Sequence, residues 1–362
     1  RGAWKPLLKA AWLVAPFLGL NAAVAAEENA PAPEPIPQPS PEPSSSLQAL
    51  SPSTQSGAIQ AEAFVVRGAS YQADRSASNK FTAPLLNLPQ TVTIIPRKVL
   101  DDQGASSLQD AVRNVPGITL NAGEGGSTPG DQFNLRGFSA RDDLFVDGLR
   151  SGGGYQRDSF NLEQVEVVKG PGSVYSGHSG VGGTINLVTK APKQTAEGGI
   201  KTSVGVDNSI KRAELDINEP LKSVENAAFR LSAMREDSGV PGRDEVTKSG
   251  WGIAPSLGFG LGEATRLRLN YYALRQDNVP DYGIPAYSSS SQFPRQVVPV
   301  DPSNYYGLKD IDHERVTVDQ ANLSLEHDLQ QDITLRANLV WLRSDTDRVV
   351  SFIENVSPTA TN

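Results

Sequence analysis

Thr265-Arg266-Leu267-Arg268-Leu269-Asn270-Tyr271-Tyr272-Ala273-Leu274 alternates without a slip. Successive side chains of a strand point to opposite sides. Leu267, Leu269, Tyr271 and Ala273 therefore share one face of an extended segment, and Arg266, Arg268, Asn270 and Tyr272 share the other. Asp332 to Leu342 repeats the pattern, with Ile333, Leu335, Ala337, Leu339 and Trp341 set against Thr334, Arg336, Asn338 and Val340. Ala213, Leu215 and Ile217 oppose Arg212, Glu214 and Asp216; further alternating runs lie at 227–233 and 321–326. No helical period runs through them.

A soluble β-sandwich alternates too. These segments, however, run to about 10 residues, the length that crosses a bilayer obliquely, against roughly 5 or 6 in soluble sheets. Their connections also alternate between short and long, as in outer-membrane barrels. Gly262-Glu263-Ala264 and Leu329-Gln330-Gln331 read as tight turns, and Asp237–Ser249 and Asp277–Thr317 as long loops. The short connection Asp207–Ile210 departs from that rule. About seven such strands are expected after Lys190, as the first part of a transmembrane β-barrel.

Upstream the texture differs. Lys5 and Lys9, the apolar run Ala10–Leu20 and the small residues Ala23-Val24-Ala25-Ala26 predict a signal peptide over 1–26. That run is too short for a spanning helix, which needs roughly 20 residues. Residues 27–61 carry Pro at alternate positions from Pro31 to Pro43 and predict an extended linker. Glu62-Ala63-Phe64-Val65-Val66-Arg67-Gly68 is a short β-prone run, either an edge strand or a peptide that docks by strand addition. Residues 81–195 read as a compact α+β domain, and 196–362 as barrel strands. The domain is expected to hold a strand at Thr91–Ile95, a helix over Asp102–Asn114, and strands near Phe133–Leu135, Leu144–Val146, Val165–Val168 and Thr184–Val188. The only Met is Met234, so the chain is expected to continue before Arg1, and the unfinished strand series implies continuation beyond Asn362.

Composition narrows the function. A net charge of −8 and a pI near 5.1 argue against nucleic acid as a partner. With no Cys there is no disulfide framework and no thiolate chemistry. Gly172-Ser173-Val174-Tyr175-Ser176-Gly177-His178-Ser179 imitates a phosphate-binding loop, but His178 stands where the Lys must be. The three His residues are scattered. The pairs Asp142-Asp143 and Asp310/Asp312 lack a positioned base or nucleophile, and read as solvated loops or at most calcium-type sites. An enzyme is not expected.

Phe133-Asn134-Leu135-Arg136-Gly137-Phe138, Val146-Asp147-Gly148, and Glu163-Gln164-Val165-Glu166-Val167-Val168-Lys169-Gly170-Pro171 occur in that order. Tyr175-Ser176-Gly177 and Gly182-Gly183-Thr184-Ile185-Asn186-Leu187-Val188-Thr189-Lys190 follow. Over about 110 residues, Phe81 to Lys190, this series resembles the plug of TonB-dependent siderophore receptors. Arg141-Asp142-Asp143, Arg150 and Arg157-Asp158-Ser159-Phe160-Asn161 are most similar to the ferric-catecholate branch.

The resemblance implies a plug inside a roughly 22-stranded antiparallel transmembrane β-barrel. It makes Glu62, Ala63, Phe64, Val65, Val66, Arg67 and Gly68 the TonB box. Arg136 becomes half of a plug–barrel lock; Lys169 stands where many members have a second Arg, and a Lys cannot form the bidentate carboxylate pair. The lock glutamates are expected beyond Asn362. Outward plug loops at Ala122–Gly130, Ser139–Asp143 and Ser151–Arg157 would place Arg141, Arg150, Tyr155, Gln156 and Arg157 at an anionic, aromatic ligand. The implied partners are a ferric siderophore, TonB and outer-membrane lipid, in the outer membrane of a Gram-negative bacterium. Iron would be held by the siderophore, so no protein metal ligand and no cofactor is expected.

Overall fold

The computed structural model describes residues 71, 73, 76, 84–120, 130–152, 154–171, 180–205, 210–287, 296–330, 333–351 and 353. The expected signal peptide, linker and TonB box at 62–68, the phosphate-loop look-alike and most of the loop Ala122–Gly130 lie outside the described residues.

The N-terminal unit is built on a five-stranded sheet. β1 (Thr91–Pro96), β5 (Leu144–Val146), β6 (Leu149–Arg150), β7 (Leu162–Lys169) and β8 (Gly183–Thr189) run in the order β1-β7-β8-β5-β6. Only β5 and β8 are parallel. A smaller sheet joins β2 (Ile118–Leu120), β3 (Phe133–Leu135) and β4 (Phe138–Ser139). Leu100, Leu108, Phe133, Leu135, Val165 and Ile185 are fully buried between the sheets and the helices. Burial of that kind stabilises by about 1.5–3 kcal/mol per large apolar side chain.

The single helix expected over Asp102–Asn114 is two short ones, α1 (Arg97–Asp102) and α2 (Leu108–Val112). Gly104, at φ +61, turns the chain between them. Ser107 then caps α2: its hydroxyl accepts from the Asp110 N–H, and the Asp110 carboxylate accepts from the Ser107 N–H, each at 3.2 Å. This reciprocal cap starts α2 at Leu108, six residues after the Asp102 start that the apolar pattern alone suggests (108 − 102).

The C-terminal unit is one sheet of seven sequential antiparallel strands: β9 (Glu197–Val204), β10 (Lys211–Pro220), β11 (Ala228–Val240), β12 (Arg243–Phe259), β13 (Thr265–Asn278), β14 (His313–Gln330) and β15 (Ile333–Val349). The alternation assigns their faces correctly. Tyr271, Leu269 and Trp341 are exposed on the outer side, while Arg212, Asn218, Arg230 and Asn322 are buried on the side that faces the N-terminal unit. The expected loop Asp237–Ser249 is instead hairpin: β11 and β12 stay paired up to Val240 and Arg243, across Pro241-Gly242. The segment is mostly polar and lacks a period-two apolar alternation, and backbone ladder bonds carry the hairpin there. For the same reason the long loop shrinks to 279–312. Among the described residues no helix is long and apolar enough to cross a membrane.

Candidate functional site: the seam between plug and wall

The inner face of the seven-stranded sheet carries charge where a membrane-facing surface could not. On β10, Arg212 reaches out of the sheet and grips Asp158 of the N-terminal unit with both terminal nitrogens, at 2.7 and 2.9 Å. Its remaining donors go to Glu214 and Glu236 at 2.8 and 2.9 Å. Glu214 also accepts from Arg97 on α1, at 3.2 Å. Asp101, one turn along α1, accepts from Arg97 at 2.6 Å and from Lys201 of β9 at 3.2 Å. Burial pushes the Asp101 carboxyl up, but the Arg97 hydrogen bond and charge, with Lys201, outweigh it and hold it below its ordinary value.

A second clamp sits at the end of β8. Asp216 of β10 takes two bonds from Arg230, at 2.8 and 2.9 Å, and one contact from Lys190 at 3.0 Å. Arg230 donates on to the Ala191 carbonyl. Burial pulls the Lys190 ammonium below its ordinary value, Arg97 adds to that, and Asp216 opposes it. A third contact joins Arg268 of β13 to Asp147 at 2.8 Å, and Asp147 also accepts from the backbone and hydroxyl of Thr189.

Between the charged clamps lies an apolar contact. Phe160 stacks on Tyr272 of β13, with centroids 5.7 Å apart. It fits against Gly252 of β12, where a Cβ would stand 2.6 and 2.8 Å from two ring carbons. Gly250, Gly252, Ala254, Ser256 and Gly258 all face inward on β12, so the wall is thinnest where Phe160 presses on it.

The predicted ligand residues separate into two groups. Arg150 is exposed and donates to the Asp142 carbonyl at 2.9 Å; Arg141 and Gln156 are partly buried. Tyr155 and Arg157 are only 3% and 4% exposed, and this corrects their placement on an outward loop. Arg157 donates to Asp131 at 3.1 Å and to the Ser151 hydroxyl at 3.0 Å, and its guanidinium lies 4.7 Å over the Tyr155 ring. Burial pushes the Asp131 carboxyl up, and Arg157 beside it opposes the shift. Loop composition carried no sign of this, because Asp131 lies 26 residues upstream of Arg157.

Arg136 and Lys169 make no ion pair with the wall strands among the described residues. Arg136 occupies the left-handed region at φ +55 in the tight turn between β3 and β4. Its guanidinium comes within 3.6 Å of the Cβ position of Gly170, so the two predicted lock cations lie at one corner of the plug. A lock between plug and wall at Asp158–Arg212 and Lys190–Asp216 was not expected from the sequence. Its one available signal was the row Arg212, Glu214, Asp216 on the face opposite Ala213, Leu215, Ile217: charges on an inward face need partners. Among the described residues no three His, Asp or Glu side chains gather to hold a metal ion.

Residues 84–184 match the family model of the TonB-dependent Receptor Plug Domain. The chain is 40% identical over 313 residues to the probable TonB-dependent receptor BfrD of Bordetella pertussis, covering 85% of this chain and 42% of BfrD. The chain belongs to the TonB-dependent receptors. It is 38% identical to the catecholate siderophore receptor Fiu of Escherichia coli K12 over 78% of this chain and 38% of Fiu. Among solved structures it is similar to the siderophore receptor PiuA of Acinetobacter baumannii, with a TM-score of 0.72 and 37% identity over 77% of this chain and 40% of that one. As a TonB-dependent receptor the chain thus spans about two fifths of the length of the curated relatives it matches. Its two units are the plug and the first part of the barrel wall.

Proposed function

We propose that this chain is the N-terminal part of an outer-membrane receptor that imports a ferric siderophore, of catecholate type, into the periplasm with energy drawn through TonB. The supporting observation is the seam itself. Three separate ionic clamps hold the plug against the inner face of the strands, and a plug so held closes the barrel until energy is supplied. The similarity to relatives named as catecholate siderophore receptors favours that cargo.

In this reading residues 62–68 are the TonB box, and Arg136 with Lys169 meets lock glutamates on later strands. Arg141, Arg150 and Gln156 approach the ligand, while Arg157 and Tyr155 brace their loop from beneath. Iron arrives inside the siderophore as cargo, with no cofactor, and the protein performs no chemistry on it. TonB, the ferric siderophore and outer-membrane lipid are its partners. The test is uptake by cells carrying the full-length receptor, offered a panel of radiolabelled ferric siderophores. Uptake of a ferric catecholate is expected, and it should disappear in cells without TonB and in Val65→Pro, which removes a backbone donor needed for strand addition. Uptake that persists without TonB would assign the protein to passive transport.

A further inference from the structure

The hairpin turn at Pro241-Gly242 and the long connection 279–312 leave the wall at one end, and the short connections 221–227 and 260–264 at the other. In an outer-membrane barrel the long-loop end faces outward. At that end an open cleft of about 400 Å³ lies between plug and wall. The plug contributes Gln156 to it, and the wall contributes Lys248 of β12 with Gln276 and Asn278 of β13.

Most of the charge around this cleft is already spent. Asp158 and Glu236 line it, and Arg212 holds both. Arg157 lines it too and is paired with Asp131. Lys248 is exposed and makes no ion pair among the described residues. Its charge reaches Asp110 of α2, but that carboxylate is taken by Ser107 and Arg113. The amides keep capacity as well. The Gln276 Oε1 atom is shut off from water and meets no donor. Asn278 gives its Oδ1 to the Ser249 N–H at 3.2 Å, which leaves its two N–H donors. Gly250, opposite Gln276 in the ladder, leaves room beside that amide. A Cβ there would stand 2.5 Å from the Arg275 carbonyl oxygen and 3.4 Å from the Gln276 Cγ.

We propose that Lys248, Gln276 and Asn278 are the wall half of the cargo site, facing Gln156 across the cleft, and that they select a catecholate ring carried on an amide link. This rests on the reading of the cargo as a ferric catecholate. The cleft is at the small end of the range for ligand pockets, so it holds one arm of the cargo and leaves the rest outside. The Lys248 ammonium opposes the negative catecholate oxygens without first giving up a carboxylate. Carboxamides both donate and accept, so three of them suit a C=O and an N–H side by side.

The experiment uses the full-length receptor in detergent micelles and measures its affinity for two probes, the ferric complexes of plain catechol and of a catechol carboxamide. The parent is expected to bind the carboxamide complex more tightly. Lys248→Met should weaken both by about tenfold or more, the effect of losing a hydrogen bond to a charged group, and Lys248→Arg should restore both. Gln276→Leu should bring the two affinities about fivefold closer, the effect of losing an uncharged bond. That ratio is insensitive to any misfolded fraction, which lowers both affinities alike. Equal affinities in the parent, or affinities unchanged in both Lys248→Met and Gln276→Leu, would overturn the wall site while leaving the cargo reading intact. A parent receptor that binds neither complex would overturn the cargo reading, and the wall site with it.

Discussion

Asp158 and Arg212 meet in a two-pronged contact with both side chains 5% exposed, one from the plug and one from the barrel wall. Removing Arg212 leaves the Asp158 carboxylate without its cation in a dry seam, a loss that typically costs about 3–5 kcal/mol. Removing Asp158, by contrast, leaves Arg212 paired with Glu214 and Glu236. Arg212→Ala should lower the unfolding free energy of the full-length receptor by that order, and Asp158→Ala by less. The double variant should cost clearly less than the sum of the two, because the contact between Asp158 and Arg212 is then lost only once. Additive losses in a double-mutant cycle would mean that the contact contributes little.

The notch at Gly252 gives a second expectation. Gly252→Ala puts a methyl group against the Phe160 ring and should destabilise by about 1–3 kcal/mol, the usual range for overpacking. Phe160→Leu in the same chain should recover part of that loss. Thermal unfolding of the two single variants and the pair reads it directly.

Arg150 and Arg157 should part company. Arg150→Ala is expected to leave stability unchanged and to weaken siderophore binding by about 1–3 kcal/mol if the contact is charge-assisted. Arg157→Ala should do the reverse first: Asp131 loses its buried cation and the receptor loses about 3–5 kcal/mol of stability. Titration of a ferric catecholate beside chemical unfolding separates the two. Equal siderophore affinity in parent and Arg150→Ala would move the site to loops of the remaining barrel.

The clamp through α1 should respond to acid. The Asp101 carboxyl is held below its ordinary value of 3.8, so the unfolded chain takes up its proton at higher pH than the folded receptor does. The stability contributed by Asp101 is therefore present above about pH 3.8 and lost as pH falls through the lower, folded value. Unfolding measured from pH 6 down to pH 3 should fall less steeply in Asp101→Asn than in the parent receptor. Parallel profiles would show that the contacts of Asp101 with Arg97 and Lys201 contribute little to stability.

The faces of the wall strands were legible because membrane and lumen impose opposite demands on neighbouring residues. Leu269 and Asn270 could not exchange sides without placing an amide in lipid. The plug strands at 133–135 and 144–146 were legible for a related reason, their apolar residues lying between glycine turns. Chain ends of elements were not: the helix break at Gly104 depends on a cap at Ser107, and the hairpin through Pro241-Gly242 on ladder bonds that leave no pattern in side chains. Nor was the burial of Tyr155 and Arg157, or the pairing of Asp158 with Arg212, legible. Each depends on a partner far away in sequence, and residue type alone does not tell a solvated Arg from a paired one.

Arg136 holds a backbone conformation that suits Gly or Asn, and a residue with a long side chain adopts it at a cost of order 1 kcal/mol. Arg136→Gly should therefore make the plug slightly more robust to heat while removing the cation proposed for the lock. A laboratory selection for thermostability alone would discard this arginine early, and one that also demanded iron uptake would keep it. On the proposed lock, Arg136 is a position where endurance and transport pull the sequence in opposite directions.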